Sequence, residues 1–237
     1  WTDDFNRDAY DEPHKHKVAV IDPGRLGPLF GSLFPEGPAG KTFLDAGCNA
    51  GAYGLLARQM GFARAEGFDA REHWIEQALY LKSLLRPDDA DLRYHHRGLD
   101  DWSYEDRYDL TLFSGLFYHL ADPIHALLRL ASVTREAIIV DPATSSDIPE
   151  ASLCPVRETT VKVMSGVDGL AWLPGGPACL IPVLAHAGFP HVSVQYWRKS
   201  TPKSANRGRM RLVAARDGGR LAQVMPASKR KLERSEP

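Results

Sequence analysis

The stretch Thr42-Phe-Leu-Asp-Ala-Gly-Cys-Asn-Ala-Gly51 limits what this chain can fold into more than any other. A short apolar run ends in Asp45, Gly47 and Gly51 bracket Cys48 and Asn49, and Tyr53 to Met60 has helical character. This is a strand, a tight glycine turn and a helix start. Such a turn lets the backbone approach a ligand closely and aims unsatisfied helix N–H groups at it.

The pattern then repeats as strand and helix. Strands are expected at Thr42–Asp45, Ala63–Phe68, Leu92–His95, Tyr108–Phe113 and Ala137–Val140. Between them, Arg71–Leu85 places Trp74, Ala78, Leu81 and Leu85 on one helical face, and Asp122-Pro123 forms a cap and first turn for another helix. Strands and helices alternating at this spacing predict an α/β fold, a doubly wound, mostly parallel, Rossmann-like sheet. A helix over Ala178–Ala187 and strands at His191–Trp197 and Arg209–Ala215 close it with an antiparallel final strand pair. Residues 1–40 read as an N-terminal cap and linker, with a helix over Arg25–Phe34 and a Pro/Gly-rich turn behind it. Residues 41–216 read as the main domain, with a loop-rich substrate-side insertion over 141–190 and a possible strand at Thr159–Met164; 217–237 reads as a polar tail.

Charge and cysteines narrow the setting. Net charge is −1, yet residues 198–237 carry twelve Lys or Arg against three acids. Arg198, Lys199, Lys203, Arg207, Arg209 and Arg211 form a basic hairpin, which suits RNA phosphates or an anionic substrate, or is a solvated surface. Cys48, Cys154 and Cys179 are sparse and unevenly spaced, against a disulfide framework or zinc site. His95-His96 would point to opposite faces of a strand, so no metal is expected. No apolar run approaches the ~18 residues of a membrane span, and the expected setting is cytoplasmic.

The ligand follows from the turn. A dinucleotide fold wants Gly-x-Gly-x-x-Gly there, but Asn49 stands at the second glycine position. Asp45, at the strand end, suits an amine rather than a pyrophosphate. Asp69 ends strand two, where a carboxylate accepts both ribose hydroxyls. Arg97-Gly-Leu-Asp-Asp101 follows strand three, placed to border an adenine. A nucleoside without phosphates fits all three, and S-adenosylmethionine is the candidate.

Asp45-x-Gly-Cys-Asn-x-Gly51, Gly67-Phe-Asp69 and Phe113-Ser-Gly-Leu-Phe-Tyr-His-Leu120 together resemble a class I S-adenosylmethionine-dependent methyltransferase. The Gly-Cys-Asn-x-Gly turn and the Leu-Phe-Tyr-His-Leu run with Asp122-Pro123 are most similar to the tRNA wobble-uridine carboxymethyltransferase-like group. The resemblance covers roughly residues 40–142. It implies that Gly47 and Gly51 pass the methionine part of the cofactor, with Cys48 and Asn49 in the same turn. It implies that Asp45 holds the amino group, Asp69 the ribose, Leu99 and Asp100 the adenine, and Ser114 and Leu116 the sulfonium. Cys48 is read as packing rather than as a nucleophile.

For the acceptor, His119 at the carboxyl edge of strand four is a candidate base or orienting group, or a packed histidine of the turn. Its neighbour Tyr118 is a candidate that packing explains better, and Asp141 at the end of strand five either binds or deprotonates an acceptor or caps the loop. His14 and Tyr10 lie in the expected cap, and Trp172 and Trp197 are candidate pocket walls. About 40 residues precede the core, where the tRNA enzymes carry a much longer region. The expectation is therefore methyl transfer to a small molecule, at oxygen and in specialised metabolism. The rivals are a tRNA-modifying methyltransferase acting through the basic C-terminal region, a nonenzymatic cofactor-binding subunit, and a nicotinamide oxidoreductase, which Asn49 argues against.

Overall fold

The computed structural model describes residues 23–157, 170–199 and 208–224. The chain runs α1 (Pro23–Leu33), β1 (Thr42–Ala46), α2 (Ala52–Gln59), β2 (Arg64–Asp69), α3 (Glu72–Leu85), β3 (Leu92–His96) and β4 (Tyr108–Ser114). A 3-10 turn (Phe117–His119) leads to α4 (Pro123–Ser132), β5 (Thr134–Asp141), β6 (Ala143–Thr144), β7 (Leu153–Arg157) and β8 (Leu170–Pro174). Then follow α5 (Pro177–His186), β9 (His191–Arg198), β10 (Gly208–Ala215) and a second 3-10 turn (Gly218–Leu221).

Among the described residues the main sheet has eight strands in the order β3-β2-β1-β4-β5-β10-β6, with β9 paired to the other side of β10's ladder. β1 pairs in parallel with both β2 and β4. The strand order therefore reverses at β1/β4, and a crevice opens at the carboxyl ends of these strands, where open α/β sheets bind ligands. β10 runs antiparallel to β5 and β9. The expected doubly wound sheet and antiparallel final pair are both present.

Side-chain alternation builds a core on each face. One face packs Phe43, Ala65, Leu110 and Ile139 against α1 and α2; the other packs Leu44, Phe68, Phe113 and Ile138 against α4 and α5. Asp122 caps α4 by accepting from the His125 N–H at 3.0 Å, and Pro123 occupies the first turn, where a missing N–H costs nothing. No helix among the described residues is long and apolar enough to cross a membrane.

Two expectations are corrected. Helix α1 is a layer of the fold and not a cap over it: Leu26, Leu29, Phe30 and Leu33 are each at most 1% exposed, and Phe30 packs 5.3 Å from Phe43 and 6.0 Å from Phe62. Its apolar face at helical spacing is buried in the same core as Phe43 of β1 and Phe62. The segment after β5 is not simply loop-rich, because β7 and β8 form an antiparallel hairpin. The possible strand at Thr159–Met164, residues Tyr10 and His14, and the end of the tail lie outside the described residues.

If α1 belongs to the core, Phe30→Ala should cost about 3–5 kcal/mol of stability, the range for truncating a buried phenylalanine. Urea unfolding measures it; a loss below about 1 kcal/mol would mean α1 is dispensable.

Candidate functional site

The glycine turn is built by one carbonyl. Phe68 O, at the end of β2, accepts from both the Gly47 and the Cys48 N–H at 2.9 Å. To leave β1 and present those donors, the backbone passes through positive φ at Gly47 (74°), Asn49 (50°) and Gly51 (78°). Asn49 is a tolerable side chain there, because its Oδ1 accepts from the Ala50 N–H at 2.7 Å. Gly51 has a second constraint: a Cβ on it would lie 2.5 Å from the Tyr94 ring. Tyr94, on β3, fills that space and donates its hydroxyl to Gly51 O at 2.5 Å. Cys48 is buried beneath the turn and burial pushes its thiol pKa up, which suits packing and not nucleophilic attack.

Two carboxylates flank the turn. Asp45 is 2% exposed, and its Oδ2 has no hydrogen-bond partner among the described residues. Burial first, and the charge of Asp69 second, raise its pKa to about 8. A buried carboxyl oxygen without a partner is costly, so this atom fits a donor supplied by a ligand. Asp69 accepts the Asn49 N–H on Oδ2 and the Arg71 N–H on Oδ1, each at 3.0 Å. Each oxygen keeps acceptor capacity for a further donor, as vicinal hydroxyls require.

The turn after β3 lies beside them. Tyr104 donates to Leu99 O at 2.8 Å, and Leu99 packs against the second core. The Asp100 side chain is 95% exposed and leans toward Arg129 at 3.4 Å, so Leu99, and not the Asp100 carboxylate, sits against the body of the fold. Trp102, which sequence reasoning missed, stacks on Phe68 at 4.6 Å between centroids and supports this turn.

The acceptor side begins where β4 ends. Ser114 pairs with Asp141 across β4 and β5, and the Gly115 N–H donates to Asp141 O at 3.0 Å. Leu116 then packs over the glycine turn, 3.0 Å from where a Gly47 Cβ would stand. Tyr118 is buried with Ala143 and Leu173, so β8 rests on the 3-10 turn. His119 lies 4.3 Å from the Tyr118 ring. Burial first, then Arg71 and Arg209, lower its pKa to about 4, and its Nδ1 is buried without a partner among the described residues. A buried N–H with no acceptor costs more than a bare lone pair on a ring nitrogen. The tautomer with the proton on Nε2 is therefore favoured, and the lowered pKa keeps the imidazole neutral at pH 7.

Asp141 differs most from the expectation. It is 1% exposed and accepts four hydrogen bonds: from Tyr196 Oη at 2.7 Å, from Arg209 Nε at 3.1 Å and Nη2 at 2.8 Å, and from Arg211 Nε at 2.8 Å. A carboxylate so engaged has no lone pair left for an acceptor's proton. The basic hairpin is corrected with it in part, since Arg198 and Lys199 are exposed as a solvated hairpin predicts. Arg209 and Arg211 alternate with buried Met210 and Leu212 on β10 and turn inward; Lys203 and Arg207 lie outside the described residues. The missed signal was the period-two placement of two arginines in an otherwise apolar strand. Trp172 and Trp197 lie on β8 and β9, Trp197 partly buried against the second core. No group of three or more His, Cys, Asp or Glu among the described residues is placed to hold a metal.

The methyltransferase domain family matches residues 21–168, more than half of the sequence, and this chain belongs to that family. Together with the fold and the turn, this makes it a class I methyltransferase that uses S-adenosylmethionine. The tRNA U34 carboxymethyltransferase of Aliarcobacter butzleri is 24% identical over 200 residues, covering 80% of this chain and 63% of that protein. The chain spans from about a third to just under two thirds of the length of the curated relatives it matches. Among solved structures, the N-terminal domain of EvdMO1 with SAH bound is similar with a TM-score of 0.64 at 21% identity, covering 84% of this chain and 82% of that one. Magnesium protoporphyrin IX methyltransferase (ChlM) from Synechocystis PCC 6803 with bound SAM has a TM-score of 0.58 at 17% identity, covering 84% and 82%. At such identities the likeness is one of fold.

The His119 environment carries a pH signature. Its folded pKa, about 4, lies below the ordinary 6.5, so between these values the unfolded chain binds the proton more readily. Stability is fully present above pH 6.5 and is lost as pH falls toward 4. Thermal unfolding across this range should show a shallower acid loss for His119→Asn than for the natural chain; identical slopes would mean the imidazole is not held neutral by the fold.

Proposed function

We propose that the chain transfers a methyl group from S-adenosylmethionine to oxygen of a small-molecule acceptor in specialised metabolism. One observation carries this reading. The β7–β8 hairpin rests on the 3-10 turn through Leu173, Tyr118 and Ala143, which walls the space beyond the carboxyl ends of β4 and β5. A wall this close to the turn suits a compact acceptor better than a folded nucleic acid. The fold neighbour named magnesium protoporphyrin IX methyltransferase offers a small-molecule precedent.

In this reading the turn at Gly47–Gly51, with Cys48 beneath it, holds the methionine part of the cofactor. Asp45 accepts from its amino group, Asp69 from its ribose, and Leu99 borders the adenine, with Asp100 at the rim. Ser114 and Leu116 lie along the sulfur. The cofactor supplies an electrophilic methyl on a sulfonium. The protein's part is alignment: the acceptor oxygen must lie in line behind that methyl, and positioning alone supplies much of the rate. His119 orients the acceptor by donating from Nε2, and Tyr118 and the Arg209–Asp141 pair form the floor beneath it.

Asp45 gives a test of the cofactor half. Its pKa of about 8 means that the free protein holds a proton there at pH 7. A cationic amino group beside it favours the carboxylate, so binding releases a proton and affinity rises with pH up to about 8. Calorimetry with S-adenosylhomocysteine at pH 7, in buffers of different ionisation enthalpy, should show that release in the natural chain and its loss in Asp45→Asn. Equal release by both would remove Asp45 from the site.

The acceptor class is tested with methyl-labelled S-adenosylmethionine, offered separately to a small-molecule extract and to total tRNA. Label is expected in the small-molecule fraction, whereas label in tRNA would replace this reading with the RNA one, toward which the named tRNA relatives point.

A further inference from the structure

The Asp141 cluster has an unequal charge. Its carboxylate accepts from Arg209 Nε (3.1 Å) and Nη2 (2.8 Å), from Arg211 Nε (2.8 Å) and from Tyr196 Oη (2.7 Å), with Arg211 Nη2 also at 2.8 Å. Two guanidinium groups share this one carboxylate, so the Asp141, Arg209 and Arg211 side chains together sum to one positive charge. The Asp141 and Arg211 side chains are 2% and 13% exposed and Arg209 is 34% exposed, so water screens the cluster only in part. It adjoins the turn after β4 at three points. Ser114 pairs with Asp141, the Gly115 N–H donates to Asp141 O, and Arg209 Nη1 donates to the Tyr118 hydroxyl at 3.3 Å. The same turn sends Leu116 against Gly47.

We propose that Asp141 is a specificity-determining residue for the charge of the cofactor: by cancelling one of two guanidinium groups beside the turn after β4, it lets a sulfonium occupy the site. The inference rests on the reading that the sulfur lies along Ser114 and Leu116. The donor and its product differ at that sulfur by one methyl and one positive charge. A cluster charge beside it therefore acts on the donor and leaves the neutral thioether nearly untouched. Asp141 acts through this field and through the fixed position of its two arginines. Its acceptor capacity is consumed by them and by Tyr196.

The experiment compares dissociation constants for S-adenosylmethionine and S-adenosylhomocysteine, by calorimetry, in the natural chain, in Asp141→Asn and in Arg209→Gln. Asp141→Asn adds one net positive charge and should weaken the donor relative to the product by roughly fivefold or more at the effective dielectric of a partly buried site. Arg209→Gln removes one positive charge, keeps the Asp141–Arg211 pair, and should move the ratio the other way by a similar factor. Opposite shifts support the inference. A ratio unchanged in both variants overturns it, as does a loss in Asp141→Asn that is equal for both ligands with no shift in Arg209→Gln, because a purely structural role predicts that pattern. If the natural chain fails to bind S-adenosylhomocysteine at all, the cofactor-site reading fails and the inference falls with it.

Discussion

The double hydrogen bond to Phe68 O is what the site depends on. One carbonyl at the end of β2 takes the N–H groups of Gly47 and Cys48 at 2.9 Å each, which bends the chain out of β1 and starts α2 above the sheet. Those two donors are spent on the protein, so the turn does not present them to a ligand as a phosphate loop does. What it offers instead is close backbone approach and two flanking carboxylates. This is the physical reason the site suits a cationic nucleoside and not a pyrophosphate. Tyr94 completes it from β3, filling the space that the missing Cβ of Gly51 leaves.

Asp45 is held at a cost to the fold. Asp45 is buried without a partner, next to Asp69. At neutral pH the folded chain keeps a proton on it that the unfolded chain would give up, so its contribution to stability falls as pH rises from about 4 toward 8. Groups kept in such positions are concentrated where a ligand needs them. The surrounding cores offset the cost: α1 and α2 close one face of the sheet, α4 and α5 the other.

The cofactor half could be proposed from the sequence because its signals are local. Gly47, Asn49 and Gly51 sit within five residues, each needing positive φ, and Asp45 and Asp69 each end a strand whose apolar run is visible. The acceptor half could not. Arg209 and Arg211 read as exposed because a charged pair in a terminal hairpin usually is; their inward turn depends on β10 pairing with β5, which brings them to Asp141 across about 70 residues of chain. Neither the carboxylate nor the arginines signal the other in sequence. His119 was singled out by its position after β4, but its lowered pKa could not be read, because burial and the charges of Arg71 and Arg209 come to it from other elements.

The two ends of the crevice therefore differ in sign as well as in origin. One end is acidic, built from the first two strands by Asp69 and by Asp45, which becomes a carboxylate when a cationic amino group displaces its proton. The acceptor end is basic, built by Arg209 and Arg211 from the last one, with Arg71 adding to the field at His119. On the proposed reading the amino group and ribose of the cationic nucleoside lie toward the acids, and its sulfonium faces the arginines. That is an unfavourable place for a positive charge unless one arginine is neutralised. Asp141, sealed in at the end of β5, meets this requirement. Its value to the site is the charge it cancels, and for that purpose burial is an advantage: an exposed carboxylate would be screened by water and would hold neither arginine in place.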